Sequence, residues 1–510
     1  MPIGRTHAIS LLGLRGATVE IEADISSNLP GFVLIGLPDT ALNEARDRVR
    51  AAATNSGCGW SNRKVTVNLS PAALPKHGSG FDLGIALAVL AAEGTIAPES
   101  IARVVHLGEL GLDGRLRPIP GVLPAVVAAS RAGFQTVMVP TGNRDEAALV
   151  PGVRVIGVAS LLDAVIWHGG DFVPVPVDPI VLPGDEEVAG DELDLADVIG
   201  NDDAVEAMIV AAAGGHHCFL LGPPGAGKTM LAARLPGLLP PLGPEAAIEV
   251  SSLRSLAGLP VGRTLPTRPP LEAPHHTATS AALIGGGSGQ IRPGAAARAS
   301  HGVLLLDEAP EFPSSVLDAL RQPLESGVIS VHRANAVAHF PGTFQLVMAA
   351  NPCACGQYGA ADPECTCTPT ARRRYLGRIS GPLLDRIDIQ LRVHRITSAR
   401  LRLATETPRL STGEAARRVL AARGVAASRL AGTPWTVNAH VPGTWLRGRR
   451  VRLAPAATAS IDRALERGGI TMRGYDRVLR LSWTLADLDG ATAPSAQHVG
   501  RALYLRKAMT

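Results

Sequence analysis

Apolar spacing along the 510-residue chain changes character twice. Across residues 1 to about 168, short β-branched runs alternate with Ala-rich stretches of helical spacing. Residues 17–24, 64–69, 104–107, 136–139 and 154–158 are expected as strands, and 39–53 and 84–92 as helices. A Pro-rich stretch (172–183, FVPVPVDPIVLP) and an acidic run (185–197) follow, a composition that stays extended and solvated. An Ala-rich helical segment from Ile199 then leads to a short apolar run at 218–221, with further core strands expected at 303–306 and 345–350. Strands apolar on successive positions belong to a parallel sheet covered on both faces. From about Ile396 the pattern turns helical and Arg-rich, with helices expected at 458–467 and 473–487 and a break at Gly468 and Gly469. No internal repeat is visible. The pattern gives an N-terminal α+β part (1–168), a linker (169–197), an α/β core (198–395) and a helical C-terminal part (396–510), and length alone suggests about three domains.

The 218–221 strand runs directly into Gly222-Pro223-Pro224-Gly225-Ala226-Gly227-Lys228-Thr229, and a helix is expected after it. This is GxxxxGK[ST] in the context its chemistry requires. Glycines let backbone N–H groups curl around phosphates, Lys228 reaches the β- and γ-phosphates of ATP, and the Thr229 hydroxyl binds Mg²⁺. The run Val303-Leu304-Leu305-Leu306-Asp307-Glu308 would set Asp307 at the C-terminal edge of a parallel strand, holding the Mg²⁺ water shell. Glu308 would polarise the attacking water, and Asn351, ending the next strand, is placed to orient it. As a turn residue before Pro352, Asn351 has a plainer reading.

Composition sharpens this. Lysine occurs at only four positions, 64, 76, 228 and 507, so one lysine inside a Gly-rich loop needs a reason. The net charge of +4 is small for the length, and the arginine bias by itself does not indicate a binding partner. There is no basic start followed by a sustained apolar run, and no stretch nears the ~20 apolar residues of a membrane span, so a cytoplasmic protein is expected. Four of the six cysteines crowd into CxC…CxC, Cys353, Cys355, Cys365 and Cys367. Two such pairs suit a structural tetrahedral Zn²⁺, with a redox pair or free thiols as alternatives. Cys58 and Cys218 read as core residues.

The segments DVIGNDDAVEAMIVAAAGGHHCFLLGPPGAGKT, PHHTATSAALIGGG, GVLLLDEAPEF, NPCACG and SGPLLDRIDI together resemble the magnesium-chelatase-like AAA+ family, in particular its ComM/YifB branch. The resemblance covers essentially the whole chain. It implies an AAA+ ATPase core with a helical lid, Asn351 at the sensor-1 position and Arg386 as an arginine finger offered to a neighbouring subunit's ATP. Arg473 would be the sensor-2 arginine of the lid. A finger acting in trans implies a ring, in this family a homo-hexamer. For Arg386 and Arg473 an ordinary surface ion pair is the alternative. His275-His276 belongs to a family signature, where a structural or pore role outranks metal binding.

Residues 71–92 and 108–140 resemble the Lon-protease fold (ribosomal S5 domain 2-like), whose Ser-Lys dyad activates a nucleophile. Gly80 stands at the serine position and Leu123 at the lysine position, so a catalytically inactive domain is expected. Residues 327–341 read as a hairpin ahead of the Asn351 strand, similar to the pre-sensor hairpins that line AAA+ pores. Arg333 on it would track DNA phosphates, or is merely a cross-strand surface residue. Arg447, Arg449, Arg450 and Arg452 add a basic run. The expected function is an ATP-driven ring motor on DNA, a helicase or branch-migration factor in recombination or natural transformation. A chelatase-type or other protein-remodelling ATPase is the alternative.

Overall fold

A computed structural model describes residues 3–27, 29–36, 44–74, 76, 78–181, 193–287, 291–333, 336–358, 365–396 and 409–506. The start of the helix expected at 39–53, most of the acidic run and the beginning of the C-terminal helical part lie outside these residues.

The N-terminal strands form a seven-stranded mixed sheet. Its order is Gly31–Ile35, Lys64–Ser70, Arg15–Ser26, Gly4–Leu12, Val104–His106, Thr136–Pro140, Arg154–Val158. Gly4–Leu12 and Arg15–Ser26 pair antiparallel, while the last three strands run parallel to Gly4–Leu12. The helix Asp82–Glu93 carries the sequence DLGIALAVLAAE and is buried at every position from Asp82 to Ala92. A helix that apolar on all sides must be covered on all sides, and here it lies across the first two strands so closely that any side chain at Gly4 would overlap the Ala88 carbonyl. Gly4–Leu12 and Gly31–Ile35 escaped the sequence reading. The first carries Arg, Thr, His and Ser among its apolar residues, so only its central place in the sheet identifies it as a strand.

The second sheet has five parallel strands, Leu271–Glu272, Val303–Leu306, Gln345–Ala350, Cys218–Leu221 and Ile389–Arg392, in that spatial order. Successive side chains point to opposite faces, and two cores result. Cys218, Leu220, Val303, Leu305 and Val347 enter one with Val419, Val478 and Leu481 from the C-terminal helices. Phe219, Leu221, Leu304, Leu306, Leu346 and Met348 enter the other with Phe312, Ile329 and Phe340. The C-terminal helices Thr412–Arg429, Pro455–Glu466, Met472–Leu488 and Ala496–Tyr504 therefore complete one face of this five-stranded sheet. Leu195, expected in the linker, is 1% exposed in that same core, and Asp194 accepts the Thr412 N–H at 2.7 Å. An apolar side chain with a cover available does not stay solvated, so this end of the linker is packed.

Among the described residues, several contacts fasten the N-terminal part to the core. The Gly121 N–H donates to Ser255 O at 3.0 Å, Arg263 pairs with Asp145 at 2.9 Å, and Leu11, Leu12 and Leu14 pack against the cluster that holds the Val328–Arg333 and Ala336–Pro341 hairpin. No helix among the described residues is long and apolar enough to cross a membrane.

Candidate nucleotide site and cysteine cluster

The loop after Cys218–Leu221 begins with the Gly222 N–H donating to Ala350 O at 3.1 Å, which ties it to the strand ending at Asn351. A side chain at Gly222 would overlap the Val393 carbonyl, and Gly225 and Gly227 adopt φ of +74° and +86°. Only glycine meets both demands without strain. The loop then feeds the helix Lys228–Arg234. It walls a cleft of about 450 Å³ with Asp307, Glu308, Ala350 and Asn351 opposite.

Three strands thus deliver five polar residues to one place. Lys228 Nζ donates to Gly222 O (2.7 Å), Pro223 O (2.9 Å) and Asn351 Oδ1 (3.1 Å). Burial lowers its ammonium pKa from the ordinary value, with Asp307 and Glu308 opposing. Thr229 Oγ1 donates to Asp307 Oδ2 at 2.6 Å. A hydroxyl and a carboxylate oxygen in contact, both hard donors, fit a Mg²⁺ site, and that ion when bound would neutralise phosphate charge. Glu308 takes φ of +51°, rare for a residue with a side chain, and its N–H donates to Asp307 Oδ1 at 2.8 Å.

Three other predicted residues lie elsewhere. Arg386 does not line the cleft. Its guanidinium pairs with Glu325 and donates to Pro382 O at 2.6 Å, while Nε is buried with no partner among the described residues. Arg473, in the helix Met472–Leu488, is exposed and also absent from the cleft wall. Arg333 ends the first hairpin strand, exposed, with its guanidinium over Gly286.

In the N-terminal sheet, Leu123 is fully buried and the Ser79 hydroxyl is bonded to Glu109. Lys76 is buried too, giving its ammonium to Gly36 O at 2.7 Å and Pro71 O at 2.5 Å.

The sulfurs of Cys353, Cys355, Cys365 and Cys367 all lie within 4.8 Å of one another, with Cys353 and Cys355 3.3 Å apart and Cys353 and Cys365 3.7 Å apart. Zn–S bonds of ~2.3 Å in a tetrahedron require sulfurs about 3.8 Å apart, so the cluster fits Zn²⁺. The cluster also touches the nucleotide loop, because Gly356, at φ +77°, packs on Pro224.

Two contacts lie beyond the sequence reading, although His276 belongs to the PHHTATSAALIGGG segment and Asp388 to SGPLLDRIDI. His276 Nδ1 stands 3.3 Å from Glu308 Oε2; the two-residue strand Leu271–Glu272 that aims it there is too short to read as one. Asp388, two residues past Arg386, is buried and receives Arg477 at 2.5 Å and His216 at 3.2 Å. Burial alone would raise its carboxyl, but Arg477 and His216 hold it well below its usual value. Its partners are 89 and 172 positions away, beyond the reach of local pattern.

Comparison with known proteins agrees with this geometry. The family model described as "Magnesium chelatase, subunit ChlI" matches residues 194–401, "Subunit ChlI of Mg-chelatase" matches 21–143, and "Magnesium chelatase, subunit ChlI C-terminal" matches 409–506. An uncharacterised protein of Mycobacterium tuberculosis (strain ATCC 25618 / H37Rv) is 49% identical over 509 residues, 99% of both chains. Competence protein ComM of Haemophilus influenzae is 38% identical over 507 residues, 99% of this chain and 98% of that one. YifB of Escherichia coli (strain K12), also uncharacterised, is 36% identical over 508 residues, 99% and 97%. A shorter likeness, 31% identity over 169 residues, links 32% of this chain to 20% of the Lon protease of Mycolicibacterium smegmatis. With its α/β ATPase sheet and full-length similarity to ComM and YifB, the chain belongs to the magnesium-chelatase-like ComM/YifB family of AAA+ ATPases.

Proposed function

We propose that the protein hydrolyses ATP in a homo-hexameric ring and uses it to move DNA, as a helicase or branch-migration factor in recombination or natural transformation. The observation that carries the hydrolytic half is the convergence of Lys228, Thr229, Asp307, Glu308 and Asn351 on one cleft. Lys228 grips the phosphates, Thr229 and Asp307 hold the Mg²⁺, Glu308 orients the attacking water and Asn351 reports the γ-phosphate. Arg386 supports a ring. It lies outside its own chain's cleft, its guanidinium held by Glu325 and Pro382 O, so in this reading it serves a neighbour's ATP rather than its own. Arg473 joins the site in this reading when the lid closes.

DNA as the cargo is supported by the exposed Arg333 on a hairpin one strand away from Asn351, and by the likeness to a protein named for competence. The cysteine cluster is read as a structural Zn²⁺ site, and the N-terminal sheet as a catalytically inactive assembly domain. A cytoplasmic location is part of this reading. The test is ATP turnover and strand movement on forked and four-way DNA. DNA-stimulated hydrolysis with branch migration is expected. Hydrolysis indifferent to every DNA form would transfer the motor to a protein partner, as the chelatase-subunit similarity allows.

A further inference from the structure

The cysteine cluster stands where the nucleotide loop meets the strand ending at Asn351. Cys353 follows Asn351 by two residues and is fully buried, and the Gly356 N–H donates to Cys353 O at 2.9 Å, which closes the first cysteine pair into a tight turn. Gly356, at φ +77°, lies so close to the loop that a Cβ there would be 2.6 Å from Pro224 Cγ and 4.0 Å from Asn351 Cγ. Both neighbours bear on Lys228. Of the acceptors that hold its ammonium, Pro223 O belongs to the peptide bond of Pro224, and Asn351 Oδ1 to the side chain that Gly356 faces. Gly222 O sits on a residue already bonded to the sheet through Ala350 O.

The second cysteine pair leads to the opposite wall of the cleft. Thr368, next to Cys367, caps the helix Pro369–Leu376 by accepting the Ala371 N–H at 3.2 Å. Just past that helix, Arg378 donates to Pro310 O at 3.1 Å and pairs with Glu311 at 3.2 Å, in the turn Ala309–Glu311 that follows Glu308. Sulfur contacts of 3.7 Å (Cys353–Cys365) and 3.6 Å (Cys355–Cys365) join the two pairs. Neutral thiols make only weak hydrogen bonds, whereas thiolates sharing a cation are tied together with energy that goes directly into folding.

We propose that Gly356 is a positioning residue for nucleotide binding, which holds Pro224 and Asn351 in their phosphate-receiving arrangement only while the four thiolates share a thiophilic metal ion. ATP affinity then depends on an ion other than the Mg²⁺ of the cleft. This rests on reading the cleft as the ATP site and the cysteines as a Zn²⁺ site. A loop in its competent arrangement about one tenth of the time binds about tenfold more weakly, which is the loss expected without the ion.

The test measures binding of Mg-mant-AMPPNP, a fluorescent ATP analogue that is not turned over, to the full-length protein, with zinc determined by elemental analysis on the same samples. Wild type stripped by a zinc-selective chelator should bind about tenfold more weakly and recover with Zn²⁺ or Cd²⁺ but not with further Mg²⁺. Gly356→Ala keeps all four thiolates, so it should retain zinc yet lose affinity about tenfold, because the added Cβ forces the turn off Pro224. Cys365→His, which preserves a tetrahedral ligand set, should keep both zinc and affinity, and Cys365→Ser should lose both. Should stripping unfold the chain, Gly356→Ala decides alone. Unchanged affinity in Gly356→Ala, or in folded wild type that has lost its zinc, overturns the proposal and leaves the Zn²⁺ reading standing. Protein purified without zinc that binds the analogue normally overturns the Zn²⁺ reading and the proposal together. A wild type that binds no analogue overturns the ATP reading and the proposal with it.

Discussion

Replacing Asp388 with Asn removes the charge from a buried ion-pair network while keeping the side chain's shape. The carboxylate is 1% exposed and receives Arg477 at 2.5 Å and His216 at 3.2 Å. Breaking a buried pair from one side typically costs ~3–5 kcal/mol, because the other charge stays buried without its partner. The Arg477 side chain is 16% exposed and can recruit some water, which puts the loss at the lower end, about 3 kcal/mol. That is a large share of the ~5–15 kcal/mol that usually separates folded from unfolded domains. Urea denaturation at pH 7, followed through Trp435, Trp445 and Trp483 of the C-terminal part, reads the shift in midpoint. The pH dependence has a definite sign. Asp388 has a folded pKa held below its unfolded value, so its contribution is complete above pH ~4 and is lost as pH falls through the folded pKa. The deficit should therefore be equal at pH 7 and pH 5 and shrink only in stronger acid. Adding Arg477→Met should recover part of the loss, since it removes the stranded charge. A deficit below about 1 kcal/mol, or two substitutions that simply add, would refute the reasoning. Because Asp388 follows Arg386 so closely, ATP turnover should also fall.

Arg386→Ala and Lys228→Ala subunits should each be inactive alone, yet mixed rings should regain hydrolysis where an intact Lys228 meets a neighbour's intact Arg386; silence in proven mixed rings counts against action in trans. Elemental analysis of purified protein should find one Zn²⁺ per chain, and Cys365→Ser should lose it; metal-free, fully active protein would end that reading. Arg333→Ala should weaken DNA binding alike on all sequences and make the log–log salt slope shallower by about one. If the slope and the DNA stimulation are unchanged, the contact lies elsewhere, with the insert around Gly285 and Gly286 the next place to look.

The nucleotide loop was legible residue by residue because its chemistry is local. Gly222 to Gly227 form one loop between a strand and the helix that Lys228 and Thr229 open, and glycine spacing and a lysine suffice to specify it. The alternating faces of Cys218–Leu221 and Val303–Leu306 were legible for the same reason, since side-chain period is a property of the strand itself. The CxC pairs marked a candidate metal site, but only the fold brought two pairs twelve positions apart into one cluster and set Gly356 against Pro224. Gly4–Leu12 was invisible because its mixed composition becomes a central strand only through the neighbours that cover it. The Asp388–Arg477–His216 network and the meeting of His276 with Glu308 were likewise decided by tertiary structure. Both depend on the register of strands and the docking of helices far apart in the chain, and no spacing within a single segment encodes which distant partner a buried charge will find.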